Sequence, residues 1–433
     1  MRAALWLLAL FAVAVASALI AGNNQAVVTL FWPPHRVDLS FNLMMILLLG
    51  AFLLLYVAIR ALAAVVGLPV DAKRWRAQQK ERAMYGALMD ALAHQLAGRY
   101  IRATKSAQNA LVQEKSLARL AAESGRPADH SGGVTPARAS QLQSLAHLLV
   151  AESAQSLQNL PLRDEHLALA LHSSAPRYAQ EIREGVQFRA ARWALDDRDA
   201  AAAMTALGQL PQGAARRTLA LRLKLRATRQ LRQTAVALET ARLLGKHRAF
   251  SPQAAQSIVR GLGQELLGDA HDPAQLTQAW AALDDSERAM PELAVHAAAR
   301  MMALQGDANV ARQWLLPAWN EAMLPGSALS DGFRIKLIGA LESGLDSLDA
   351  QWLARIEAAQ LARPSDANLQ YLAGMACVSR QLWGKARQWL SLSVLGLQDN
   401  GLRRNAFKAL ALLADQRGDE AAAADAYRQA ALL

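Results

Sequence analysis

At 433 residues the chain is too long for one compact core unless it is a repeat array, in which each unit contacts only its neighbours. Hydrophobic residues make up 53% of it but aromatics only 6%, so the apolar mass is mainly Ala and Leu and an all-helical fold is expected. The single cysteine, Cys377, excludes an internal disulfide and any zinc or iron–sulfur centre built on several thiolates, and much of the net charge of +11 sits between Lys73 and Arg126, where eleven Lys/Arg face four Asp/Glu.

Ala3 to Ala21 is an uncharged run of 19 residues, about 28 Å of helix and enough for a bilayer core. Arg2 and the small residues of AVASA also suit a cleaved signal peptide. Leu43 to Val66 is a second apolar run, broken only by Arg60, whose long side chain can reach the headgroups. The two runs predict a transmembrane hairpin over 1–72. Lys73, Arg74, Arg76, Lys80 and Arg82 follow the second span and Arg2 precedes the first, so both termini and the bulk of the chain are expected in the cytoplasm. The same five cations point to an anionic membrane surface rather than to nucleic acid.

Between the spans, about residues 22–42, the sequence GNNQAVVTLFWPPHRVDLSFN reads as a short external turn. VVTLFW is β-branched and aromatic, hence extended; Trp32 suits the interface, Pro33 and Pro34 stop either helix, and Ser40 or Asn42 can cap the second span. His35 has no histidine nearby with which to share a metal.

Residues 73–121 read as a basic juxtamembrane helix and a first repeat, with Gly98, Ala103 and Ala110 at tetratricopeptide spacing. Ala122 to Ser140, rich in Gly, Pro and Ser, is expected to be a flexible loop. Residues 141–433 then form a degenerate helical array. Its clearest fit is Gly418 with Ala423 and Tyr427; Gly306 with Ala311 and Gly374 with Ala386 fit the template with less fidelity, and Gln381 stands where a turn glycine belongs. Between Arg177 and Gln256 the Ala-rich helices match the template more weakly. The expected fold is all-α, a two-span hairpin followed by a tetratricopeptide-like α-solenoid.

No catalytic constellation emerges. GLGQELLG has Leu266 where a dinucleotide loop needs glycine and follows no strand. His166 and His172 lie six apart, about 240° around a helix, and cannot share a metal. Cys377 reads as a buried small hydrophobe, and Trp314, Trp319, Trp383 and Trp389 as packing between repeats. Arg216 to Arg232 is basic enough to line a groove for an acidic partner.

VVTLFWPPHRVDLS, ALAHQLAGRYIRATKSAQNAL and HLLVAESAQSLQNLPLRDEHLALAL, in this order of parts, resemble the HemY family of proteobacterial inner-membrane proteins. That resemblance covers essentially the whole chain and implies association with haem (protoporphyrin) biosynthesis, with no catalytic residues to carry over. The expected function is therefore a non-catalytic scaffold presenting a repeat groove to partner proteins, late haem-pathway enzymes among them, and using no cofactor. The competing readings are a haem- or porphyrin-binding protein of the same pathway and a general envelope-assembly adaptor.

Overall fold

A computed structural model describes residues 6, 11–15, 17–18, 22, 25–124, 135–327 and 329–433. The chain divides into two compact units, Met1–Ile182 and Arg183–Leu433.

The first unit contains a β-hairpin, a correction to the all-α expectation. Strand β1 (Val27–Trp32) pairs antiparallel with β2 (His35–Ser40), with Pro33 and Pro34 between them. The cause is the β-branched and aromatic run already read as extended; what was missed is that HRVDLS supplies its partner strand. Ser40 ends β2 and caps helix α1 (Phe41–Leu96), its side chain accepting from the Leu43 amide at 3.3 Å.

Helix α1 is 56 residues long and runs without interruption through the apolar segment, the basic segment and the first repeat, across the 72/73 boundary read from composition. Its stretch Phe41–Ala63 is, among the described residues, the one helix long and apolar enough to cross a membrane. Most of the first apolar run, and with it the two-span expectation, lies outside the described residues.

Helices α2 (Tyr100–Ser124), α3 (Pro136–Ser156) and α4 (Leu160–Ser173) follow. Met84, Leu88 and Ala91 of α1 pack with Ala107, Ala110 and Leu111 of α2 and with Leu142, Ala146 and Leu149 of α3. The loop expected over 122–140 is shorter at both ends: 122–124 belong to α2, and Thr135 caps α3 with Pro136 at its first turn, so 136–140 are helical. Residues 125–134 lie outside the described residues.

The second unit opens within α5 (Gln180–Asp196) and continues through α6 (Ala200–Gly208), α7 (Gln212–Ala215), α8 (Thr218–Gln230), α9 (Thr234–Lys246), α10 (Pro252–Gly268), α11 (Pro273–Ala281) and α12 (Asp285–Arg288). It ends with α13 (Pro291–Ala303), α14 (Ala308–Ala322), α15 (Asp331–Glu342), α16 (Ala350–Ala362), α17 (Ala367–Ser379), α18 (Trp383–Gly396), α19 (Asn400–Asp415) and α20 (Glu420–Leu432). Sequence neighbours pack as helical hairpins, α8 with α9, α13 with α14, α17 with α18 and α19 with α20. Helices α10, α13, α15, α17 and α19 also touch in succession, forming a row. This is helical-repeat architecture: each pair buries its apolar stripe against the next, and one continuous core runs from Leu221 to Leu413.

A single turn chemistry joins the helices of a pair. A left-handed residue closes the first helix, and the amide after it donates to the carbonyl five residues back at 2.8 to 3.1 Å. Gly98 and Gly418 fill that position as expected, with φ of 70° and 74°. Elsewhere it is Gln158, Arg198, Arg232, Arg248, Gln305 and Gln381, with φ between 54° and 64°.

Candidate partner-binding groove

Helix α13 turns two stripes in different directions. Leu293, Ala294, Ala297 and Met301 enter the core, whereas Glu292, His296, Ala299 and Ala303, spaced by three or four residues, face outward toward α15. Helix α15 answers with Phe333, Lys336, Gly339 and Ser343. Because Ala299, Ala303, Gly339, Ala340 and Ser343 are small, the two stripes do not meet. They leave an open groove of about 1220 Å³, closed along one edge by Leu329 and Ser330.

The groove has apolar walls and a few placed polar groups. Phe333, Val295 and Met302 supply the apolar surface, and the Lys336 side chain is exposed beside them. Glu292 is held by Arg260 at 2.8 Å. Burial lowers the His296 pKa, the Gln264 backbone partly offsets this, and the Arg300 charge lowers it further, so the ring is neutral near pH 7. The groove thus combines apolar walls with a neutral ring and one exposed ammonium.

Ala103, Ala110, Ala311, Ala386 and Ala423 are buried between helices. A β-carbon on Gly374 would lie 2.7 Å from Leu390 Cγ, so this glycine permits the close approach of α17 and α18. Gly306 follows the left-handed residue Gln305 rather than occupying that position, and its own need for glycine comes from Met301, whose Sδ would lie 2.2 Å from an added β-carbon. Tyr427 is a correction: at 43% exposure it fills no space between pairs, and its hydroxyl instead donates to Asp415 of α19 at 3.1 Å.

Arg76 and Arg82 are exposed, while Lys80 is half-buried and lines, with Arg76, Gln113 and Leu120, a notch of about 420 Å³ between α1 and α2. Lys73 and Arg74 lie on α1 with side chains outside the described residues. Arg216–Arg232 is less available than its charge suggests. Arg217 pairs with Glu184 at 2.9 Å, Arg226 with Asp196 at 3.1 Å and Arg229 with Glu265 at 3.6 Å, while Arg222 donates to the Ala249 carbonyl.

Cys377 is fully buried on α17, and burial, with the nearby Glu357 charge, pushes its thiol up to about 11. His166 meets not His172 but His147 of α3, Nδ1 to Nδ1 at 3.0 Å. Trp314 stacks on Trp280 at 4.9 Å between centroids and Trp319 meets Trp352 edge-on at 5.9 Å, whereas Trp383 is 39% exposed. GLGQELLG lies inside α10. The sequence missed the groove itself, because its walls come from helices about forty residues apart; alternating small and large outward residues on α13 and α15 were the available signal.

No curated protein matches the chain. Among solved structures it is similar to "Structure of Naa15/Naa10 bound to HypK-THB", with 12% identity, 78% of this chain and 57% of that chain covered and a TM-score of 0.24. The chain thus spans little more than half the length of that relative. It is also similar to the TPR domain of P58(IPK), with 13% identity, 77% and 99% covered and a TM-score of 0.21. Residues 27–133, which take in the hairpin, α1 and α2, match the family model described as HemY protein N-terminus. Over this N-terminal quarter the chain is similar to the HemY family.

Proposed function

We propose that this protein is a non-catalytic scaffold, anchored to the inner membrane and facing the cytoplasm, that holds partner proteins in the α13–α15 groove. The observation that carries the reading is the groove: an open trough with apolar walls, small residues at its base and the exposed Lys336 at its side. The match of residues 27–133 to the HemY N-terminus supports late haem (protoporphyrin) biosynthesis enzymes as the partners. An anchor raises their local concentration without any chemical site, toward the millimolar range for a short tether.

The test is crosslinking and affinity purification from membranes with the full chain, a form truncated before Lys73, and an Ala299→Trp variant whose indole fills the groove. Recovery of haem-pathway enzymes by the first two and loss with Ala299→Trp supports the proposal. Equal recovery with Ala299→Trp moves recognition away from the groove, and absence from all three removes the pathway assignment and favours an envelope-assembly adaptor.

A further inference from the structure

The register of the β-hairpin sorts its side chains by face. Directly opposed residues in an antiparallel pair point to the same side, and successive residues alternate. Val28 faces Leu39, Leu30 faces Val37 and Trp32 faces His35, so one side carries Val28, Leu30, Trp32, Val37 and Leu39, with His35 beside Trp32 at the tip. The other side carries Val27 with Ser40, Thr29 with Asp38 and Phe31 with Arg36. This second side holds the charged pair: Arg36 Nε donates to Asp38 Oδ1 at 3.2 Å and the guanidinium lies 5.5 Å from the Phe31 ring centre, while Val27 and Phe31 stay 62% and 74% exposed. The apolar side carries no such pair. Trp32 is 77% exposed, and Leu30 and Val37 are about half exposed.

The hairpin is also fastened at its base to the candidate span. Ser40 is both the last residue of β2 and the cap of α1, and the Phe41 amide donates to the Ala26 carbonyl at 2.9 Å. The first residue of the apolar stretch Phe41–Ala63 therefore adjoins the sheet directly. Six-residue strands reach about 20 Å from that point, well beyond the roughly 5–8 Å depth of one headgroup layer, so the hairpin stays at that depth by lying along the surface.

We propose that the hairpin is a lipid-surface paddle: it lies on the bilayer where α1 enters, with Leu30, Trp32 and Val37 in the boundary between headgroups and acyl chains. Lipid is the occupant because continuity with the span holds the apolar side at the membrane's edge, and Trp at the tip suits that depth. The paired Arg36 and Asp38 stay on the water side. The proposal rests on the anchor reading of α1 and is independent of the groove.

The experiment uses the full chain in nanodiscs on a Cys377→Ala background, with single cysteines carrying an environment-sensitive fluorophore. Leu30→Cys and Val37→Cys report the apolar side, Thr29→Cys and Asp38→Cys the polar side, and Leu48→Cys the span. Lipids carrying a shallow quencher are expected to quench at 30 and 37 about threefold more than at 29 and 38, with the reverse order for an aqueous quencher. Equal access of the aqueous quencher to both sides overturns the proposal. Shielding of 30 and 37 from both quenchers also overturns it, because protein then covers the face. If Leu48→Cys is not reached by a deep lipid quencher, the anchor reading fails and this one with it; if it is reached and 30 and 37 are not, only the paddle fails.

Discussion

The Nδ1 atoms of His147 and His166 face each other at 3.0 Å between α3 and α4, so one ring must donate and the other accept. Burial lowers both pKa values. His147 falls from 6.5 to about 4, with the His166 and Lys115 charges adding to burial, whereas the Glu165 charge opposes the shift at His166. The unfolded rings regain a pKa near 6.5, so the pair's contribution is complete above that value and is lost as pH falls from 6.5 toward 4. With allowance for solvent screening, that loss is about 1–2 kcal/mol. Urea titrations of the solubilised full chain across this range should show it, and a His147→Phe/His166→Phe variant should lose that part of the pH dependence. An unchanged pH profile in the variant would sink the idea.

The left-handed turn residues lead to a second expectation. Gln381 and Arg198 hold φ of 59° and 64°, where a β-carbon costs about 1–2 kcal/mol and glycine pays only extra unfolded-state entropy. Gln381→Gly and Arg198→Gly should each raise stability by about 0.5–1 kcal/mol, and Gly98→Ala and Gly418→Ala should lower it by about 1 kcal/mol. Chemical denaturation of the four variants checks this, and destabilisation by both glycine substitutions would refute it.

These turns also explain what was legible. Where glycine fills the left-handed site, as at Gly98 and Gly418, the repeat is visible in the sequence; between 177 and 256 Arg198 and Arg232 fill it, and the match looked weak. A signal remained there, because Asp199, like Asn159 and Asp419, sits one residue on and caps the next helix. The His147–His166 meeting and the α13–α15 groove left no such trace. Both depend on how one helix docks against another, and local periodicity carries no information about which outward residues will face each other across a pair.

Among the described residues Arg312 is the largest fully enclosed side chain, 2% exposed; it donates to the carbonyls of Gly344 and Ser347 and to Asn309 Oδ1. It ties α14 to the link before α16. Arg312→Ala would strand those acceptors and leave a cavity, at about 3–4 kcal/mol. Arg312→Lys should recover less than half, since one ammonium cannot reproduce the planar fork. Thermal unfolding orders the variants, and a Lys variant as stable as the parent would show that charge alone suffices.

The close approach of α17 and α18 at Gly374 gives the last prediction. An added β-carbon would stand 2.7 Å from Leu390 Cγ, 2.9 Å from its Cδ2 and 3.2 Å from its backbone nitrogen, so a side-chain rotation cannot clear every contact. Gly374→Ala should therefore cost about 1–3 kcal/mol despite alanine's better helix propensity. Leu390→Ala alone opens a cavity at a core position, about 2–5 kcal/mol. In the double variant the new methyl fills part of the space that leucine vacated. The two costs should fall short of additivity by about 1 kcal/mol or more, which a double-mutant cycle by urea denaturation reads directly. Strict additivity would mean that backbone movement, not the Leu390 side chain, absorbs the clash.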